Sequence, residues 1–427
     1  MARYVASFTI LILLSMDSFA MTLAQAIEET LRTNPDIEAS RRNVDAAQQV
    51  AKQARGAYLP TVDLVLATGR ENSNNTTTRA AGLQDLRLTR QDRSIKLTQL
   101  LFDGMATPNL VAQQEAQVEA TMARLSTTEE NVSLRAIQVY LEVLRREAIA
   151  SMTKDNLQHH ETTLSKIQER FESGVGTKVD VVQTEGRRAQ SNGTLLLAQR
   201  DVKNGMAEFF RVVGENPVNL EKPEPIGGLP QSLESALETA YRNNPQLKAA
   251  DADLDSAVAA HKQVRGVFLP RFDLEVGASR NNNNDGSIGA NDDETVMLRM
   301  TYNLFRGGAD KARLNEAEAR EFASRETVRS VKRAITEDVT LIWNELEDIL
   351  LRLQYLEAHV KSTEEVLVVY NEQLSLGKRS LLDLLDVQNE LLRAEVAYVS
   401  GQYTAVLARY RVLTSVGQLL STVGVQR

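Results

Sequence analysis

The sequence predicts an α+β membrane protein built by internal duplication, in which short amphipathic strands for a shared β-barrel lead into very long helical hairpins. Three observations carry this. Residues 22–64 return as residues 232–274 at a constant offset of 210, and 17 of the 43 aligned pairs are identical. Unrelated chains of ordinary composition would match at roughly one position in sixteen. Each copy is followed by segments that alternate apolar and polar residues, as a strand with one apolar face does. Each strand pair then gives way to a run almost free of proline, 105–173 with Pro108 alone and 308–376 with none. A period this long is no solenoid module of about 20–50 residues; it is a duplicated half-protein.

Composition agrees. The 427 residues include 9 Pro and no Cys, and aromatics make up 5%, which suits helix-on-helix packing more than one thick core. A net charge of −8 argues against nucleic acid as a partner. The lack of cysteine excludes thiol chemistry, cysteine zinc sites, disulfides and lipidation of an N-terminal cysteine. Residues 1–20 read as a secretory signal: Arg3 is the positive start, 5–14 the apolar core and Ser18-Phe19-Ala20 the small-residue cleavage pattern. A membrane anchor would need about 20 apolar residues. No later segment is apolar enough to be a spanning helix, so any part that enters a membrane enters as strands.

The first structural repeat is expected over 21–217. Its opening helix is interrupted at Asn34-Pro35, because proline disfavours a helical residue before it. The helix runs to Gly56 and meets Leu59-Pro60, proline being allowed at the first position of a strand. Strands are expected at about 60–71, where Val62, Leu64 and Leu66 alternate, and about 92–103, with Ile95 and Leu97; the polar segment 71–92 joins them. After Leu101-Phe102-Asp103-Gly104 comes a long helical hairpin with its tip at 174–177, returning to about Val213. A proline-rich linker, 218–231, leads to the second repeat over 232–420.

That repeat carries Asn244-Pro245, Gly266 and Leu269-Pro270 in the same order. Its strands are expected at about 270–280, with Phe272, Leu274 and Val276, and about 294–305, with Val296, Leu298, Met300 and Tyr302. The polar loop 280–293 joins them. Leu304-Phe305-Arg306-Gly307 precedes a second hairpin with its tip at 377–380, and 421–427 forms a C-terminal tail. The Leu-Phe-x-Gly pairs and the hairpin tips share an offset of 203, so the duplication includes the helices. Either helical run would be on the order of 100 Å long if continuous.

Nothing assembles into a catalytic, cofactor or metal site, so an enzyme is not expected. Adjacent His159 and His160 would point about 100° apart on a helix and are read as solvated. Gly174-Val175-Gly176-Thr177-Lys178 lacks the order and the preceding strand of a phosphate loop. Trp343 reads as a packing residue, and the charges of 316–325 as a solvated helix face.

Four strands cannot close a barrel alone, and lipid tolerates no open sheet edge. Two chains would give eight strands, filled by side chains; three would give twelve, with room for an aqueous lumen. A hollow trimer with a β-barrel and a helical tunnel satisfies all of this. The chain resembles the TolC family of outer-membrane channels, on Asn-Pro, Gly…Leu-Pro, Leu-Phe-x-Gly and the run Gly377-Lys378-Arg379-Ser380-Leu381-Leu382-Asp383-Leu384-Leu385-Asp386. The resemblance covers residue 22 to about 420. It implies a homotrimer with a twelve-stranded barrel, four strands per chain, in the outer-membrane lipid, continuous with a periplasmic α-helical barrel of coiled-coil hairpins. It also implies a periplasmic adaptor and an inner-membrane ABC or proton-driven transporter as partners.

By the same resemblance, Asp383 and Asp386 align with aspartate rings at the narrow periplasmic mouth, and Arg379 with a basic residue that latches it. Leu374 stands where an aromatic latch partner occurs. Gly174, Val175 and Gly176, with Leu376 and Gly377, correspond to the adaptor-docking tips; simple hairpin geometry would also place glycines there. Two aspartates three apart share a helix face, and three copies of each would favour cations. Ser380 and Asp383 also fit a capping box, as do Thr177 and Asp180; capping does not account for Asp386. The expected function is a passive exit duct of a tripartite export system, for type I protein secretion, with multidrug or small-molecule efflux as the alternative. A non-channel periplasmic coiled coil has no use for amphipathic strands.

Overall fold

The structure is a computed structural model and describes residues 20–425. The secretory signal read in residues 1–20 lies, but for Ala20, outside them. The elements run α1 (Leu23–Thr33), α2 (Pro35–Gly56), β1 (Thr61–Ser73), α3 (Thr76–Ala80), β2 (Leu86–Phe102), α4 (Ala106–Glu172) and α5 (Lys178–Val213). The second half repeats the order with α6 (Leu233–Asn243), α7 (Pro245–Arg265), a 3-10 turn at Gly266–Phe268, β3 (Arg271–Asn282), β4 (Ala290–Thr301), α8 (Ala309–Ser375) and α9 (Leu381–Ser415), then α10 (Leu419–Val423). α4 and α8 each have 67 residues. No helix of the described residues is long and apolar enough to cross a membrane.

The chain forms two compact units. One, Ala39–Thr127 with Pro245–Ile335, holds the sheet. Its four strands are antiparallel in the order β1-β2-β3-β4, so the two halves meet at β2–β3. Directly paired residues lie on one face, and the register puts Val62, Leu97, Val276 and Val296 in one apolar row. The other face is polar: Glu275 accepts from Arg299 Nε at 2.8 Å and pairs with Lys96 Nζ at 3.1 Å, while Asp273 accepts from Arg271 Nε at 2.7 Å. Within one chain β1 and β4 each keep an open edge.

Strand ends follow pairing partners more than local pattern. β2 begins six residues earlier than expected because β1 extends to Ser73, which pairs with Leu86. The loop expected there contains the short helix α3, capped by Asn75, whose side chain accepts from Thr78 N. β4 runs over 290–301 and not 294–305: it starts opposite Asn282 and ends with the pair Arg271–Thr301. Pro270 precedes Arg271 and has no N–H to continue the ladder. Leu304 and Phe305 therefore lie outside the strand, 87% and 82% exposed. Where the first half leaves the sheet, Gly104 has φ +69°, and a Cβ there would stand 2.5 Å from Gly266 O.

The other unit comprises the residues up to Glu38, Thr128–Asn244, and those from Thr336 onward. Tyr140 on α4 is fully buried, packs 6.3 Å from the Phe209 ring on α5, and reaches the carbonyls of Met21 at 2.8 Å and Glu221 at 2.7 Å. One phenol thus pins the N-terminal segment and the linker to the first hairpin, and burial pushes its pKa up. On the second hairpin, Leu346, Ile349, Ala405, Ala408 and Val412 form a core against which linker Leu229 and Trp343 pack. The expected tail from 421 begins inside α10, whose Leu419 N–H is accepted by the buried Glu130 carboxylate at 3.2 Å.

Candidate functional site: the hairpin tips

Both tips are built by the same helix-ending geometry. Gly174 has φ +80° and Gly377 φ +70°, a left-handed turn that glycine adopts without a Cβ penalty. Val175 N–H bonds back to Arg170 O at 3.0 Å, and Lys378 N–H to Gln373 O at 2.9 Å, satisfying carbonyls at the end of α4 and α8. Val175 and Leu376 are left 72% and 67% exposed. Gly176 folds tightly onto α4, where a Cβ would stand 2.9 Å from Phe171 N; its counterpart 203 residues on is Arg379.

The returning helices start differently. At α5, Thr177 Oγ1 accepts from Asp180 N–H, and the Asp180 carboxylate accepts in return from Thr177 N–H and hydroxyl, a closed capping box. At α9, Ser380 Oγ accepts from Asp383 N–H at 3.2 Å, but no bond returns from the Asp383 carboxylate. That carboxylate instead faces Arg379, 3.5 Å away. Arg379 is held chiefly by Tyr370 on α8, donating to its hydroxyl at 2.8 Å with the guanidinium 4.2 Å from the ring centroid.

Behind the tips, Ile167 of α4, Val181 of α5, Leu374 of α8 and Leu381 and Leu385 of α9 form one apolar cluster. Leu374 is thus a packing residue, and the aromatic that holds Arg379 comes from one turn earlier. Asp386 has a partner that local sequence does not announce: Arg187 of α5 donates to its Oδ1 at 2.7 Å. Asp383 and Asp386 keep 41% and 59% of their side-chain surface exposed.

Deeper in the hairpin the packing turns polar. Thr153, Asn156, His160 and Thr163 of α4 are all buried. Ser191 Oγ donates to Asn156 Oδ1 at 3.0 Å, and Gln388 Nε2 to Thr163 Oγ1 at 3.3 Å. This corrects the reading of the two histidines: His159 is exposed, whereas His160 is fully buried. Their 100° separation puts His160 on the stripe that continues through Thr163 and Ile167. Neither of its ring nitrogens is in hydrogen-bonding geometry, although Asn389 stands beside it. Burial pushes its pKa down.

The family described as "Outer membrane efflux protein" matches residues 26–215 and again 236–418, one segment in each half. The chain belongs to this family. It is 27% identical to the outer membrane efflux protein BepC of Brucella suis over 96% of this chain and 88% of that protein. It is 24% identical to the alkaline protease secretion protein AprF of Pseudomonas aeruginosa, over 94% and 86%. It is 22% identical to the outer membrane protein TolC of Escherichia coli, over 96% and 86%. Among solved structures, the CmeC outer membrane channel of Campylobacter jejuni superposes with a TM-score of 0.81 at 14% identity, covering 93% of this chain and 86% of that one. The chain is therefore a TolC-family outer-membrane channel protein, with the fold of the trimeric channels that combine a twelve-stranded barrel, four strands per chain, with a periplasmic helical extension.

Proposed function

We propose that this protein is the exit duct of a tripartite export system, taking cargo from an inner-membrane transporter through a periplasmic adaptor to the exterior, and that its cargo is protein, as in type I secretion. The observation that carries the duct reading is the sheet, with two unlike faces and two open edges. Lipid tolerates neither free edges nor a polar face. A closed barrel of three chains pairs the edges, turns the row of Val62, Leu97, Val276 and Val296 to lipid, and gives Lys96, Glu275 and Arg299 to a watery lumen. Protein cargo is favoured by the likeness to AprF and to the proteases secretion protein PrtF of Dickeya chrysanthemi, 23% identical over 94% of this chain. Likeness to BepC, an outer membrane efflux protein, supports efflux as the second reading.

In this reading the tips at Gly174, Val175, Gly176, Leu376 and Gly377 dock the adaptor, and Asp383, Asp386 and Arg379 form the periplasmic mouth. The exposed apolar side chains of Val175 and Leu376 support the first assignment. The aspartates' shared helix face and their exposure support the second. The test is an in vivo crosslinked pull-down of the full-length protein. A protein-exporting ABC transporter with its adaptor is the expected catch. A proton-driven pump would move the cargo to drugs or other small solutes, and no inner-membrane partner would refute the duct.

A further inference from the structure

Behind the second tip each chain places two carboxylates, Asp383 and Asp386, and two guanidiniums, Arg379 and Arg187, in two pairs of unequal closeness. Arg379 lies 3.5 Å from Asp383 and is committed to Tyr370, by a 2.8 Å hydrogen bond and by stacking over its ring. Arg187 donates directly to Asp386 at 2.7 Å. We propose that Arg187 sets the ion selectivity of the periplasmic mouth, cancelling Asp386 while α5 and α9 stay packed and unmasking it when those helices part. The proposal rests on the reading of the two aspartates as mouth residues.

Placement supports a fixed counter-charge rather than a chance surface contact. On α5, Arg187 lies three residues after Thr184 and four before Ser191, so the three share a face. Both neighbours are buried, and the Arg187 side chain is 32% exposed. The cation is thus delivered from the seam between the helices, while the Asp386 side chain keeps 59% of its surface. A permeating ion near such a pair meets a dipole, whose field falls off faster than that of a lone carboxylate. Asp383 faces Arg379 at the longer distance of 3.5 Å, with that guanidinium shared with Tyr370, so it is the less compensated charge of the packed state.

The duplication makes the pair asymmetric. The counterpart of Arg187 in the second half is Glu390, and that of Asp386 in the first half is Gln183. The cation therefore exists in one hairpin and the anion in the other. Movement of α9 away from α5 separates them and exposes one further carboxylate per chain. Cation preference is then a property of the open duct more than of the closed one.

Single-channel recording of the full-length trimer in planar bilayers under a KCl gradient tests this, comparing wild type with Arg187→Gln, Arg187→Lys, Asp386→Asn, the double variant of Arg187→Gln with Asp386→Asn, and the double variant of Asp383→Asn with Asp386→Asn. Arg187→Gln should raise the potassium-to-chloride permeability ratio roughly threefold or more and strengthen block by periplasmic-side Mg²⁺. Arg187→Lys should stay near wild type. Asp386→Asn leaves Arg187 without its counter-charge and should lower the ratio, and the double variant with Arg187→Gln should return it near wild type. If removing both aspartates shifts selectivity but Arg187→Gln does not, the counter-charge is overturned and the mouth assignment stands. If removing both aspartates changes nothing, the mouth assignment itself falls.

Discussion

Asn34 and Asn244 stand at equivalent positions in the two halves and make equivalent bonds. Asn34 Nδ2 donates to Val212 O at 3.2 Å, and Asn244 Nδ2 donates to Ser415 O at 3.0 Å. Each carbonyl lies at the end of a returning helix, α5 or α9, where main-chain acceptors lack intrahelical partners. Asn34 also accepts from Asp36 N–H through Oδ1 at 3.0 Å, capping the start of α2. The Asn-Pro step is therefore a clasp as well as a helix break. It ties the start of each half to the foot of its hairpin.

Replacing either asparagine with alanine leaves a carbonyl unsatisfied, and Asn34→Ala also uncaps the start of α2. Each change should cost about 1–2 kcal/mol. Asn34→Ala and Asn244→Ala should lower the thermal midpoint of the purified trimer and speed its unfolding, to a similar extent. A stable Asn244→Ala protein would show that the second clasp does no structural work.

The two tip aspartates should separate stability from selectivity. Asp180 is closed into a box with Thr177, whereas Asp383 returns no bond to Ser380. Asp180→Ala should cost about 1 kcal/mol and leave ion selectivity alone. Asp383→Ala should do the reverse, with weaker cation preference and divalent block in single-channel recordings.

The tip glycines turn with positive φ into open space. A residue with a Cβ at Gly174 or Gly377 meets no neighbour but costs about 1–2 kcal/mol of backbone strain. Gly174→Leu and Gly377→Leu should still form trimers on semi-native gels, yet fail to export. Normal export from both would remove the docking role of the tips.

The two faces of the sheet predict opposite tolerance. Val296→Arg places a charge in the apolar row and should cost about 2–4 kcal/mol at the bilayer midplane. Met297→Arg, one residue on and on the face of Glu275, should cost far less. Outer-membrane yield of folded trimer, compared between the two, reads out which face meets lipid.

His160 makes hairpin packing sensitive to acid. The groups beside it are His159 on its own helix, Arg187 of α5 and Asn389 of α9. Burial, opposed by Asn389 and reinforced by the Arg187 guanidinium, pushes its pKa below the ordinary value. The unfolded chain then binds more protons than the folded one, so stability rises with pH and falls as pH drops through the free imidazole range near about 6.5. Amide protection around 153–167, measured relative to the intrinsic exchange rate at each pH, should fall between neutral pH and about pH 5. The His160→Gln variant should lose that pH dependence; an unaltered profile would assign it to another group.

The sequence by itself determined what depends on neighbours along the chain. Asn-Pro breaks, the capping box at Thr177, the one-sided cap at Ser380, glycine turns at the tips and period-2 strands all rest on interactions within about four residues. The offsets of 210 and 203 made the second half readable from the first. Tertiary structure decided everything that joins residues far apart. The ends of β2 and β4 were set by the strands they pair with, so the alternation through Tyr302 overran the true end at Thr301. The burial of His160 depended on which stripe of α4 meets α5 and α9, and its polar stripe gave no apolar signal to read. Arg187 and Asp386 lie 199 positions apart, and only the approach of α5 to α9 brings a guanidinium onto that carboxylate. Tyr370 replaced the expected aromatic partner for the same reason: Leu374 turned inward to fill the core beneath the tips, and the ring one turn earlier was the one left within reach of Arg379.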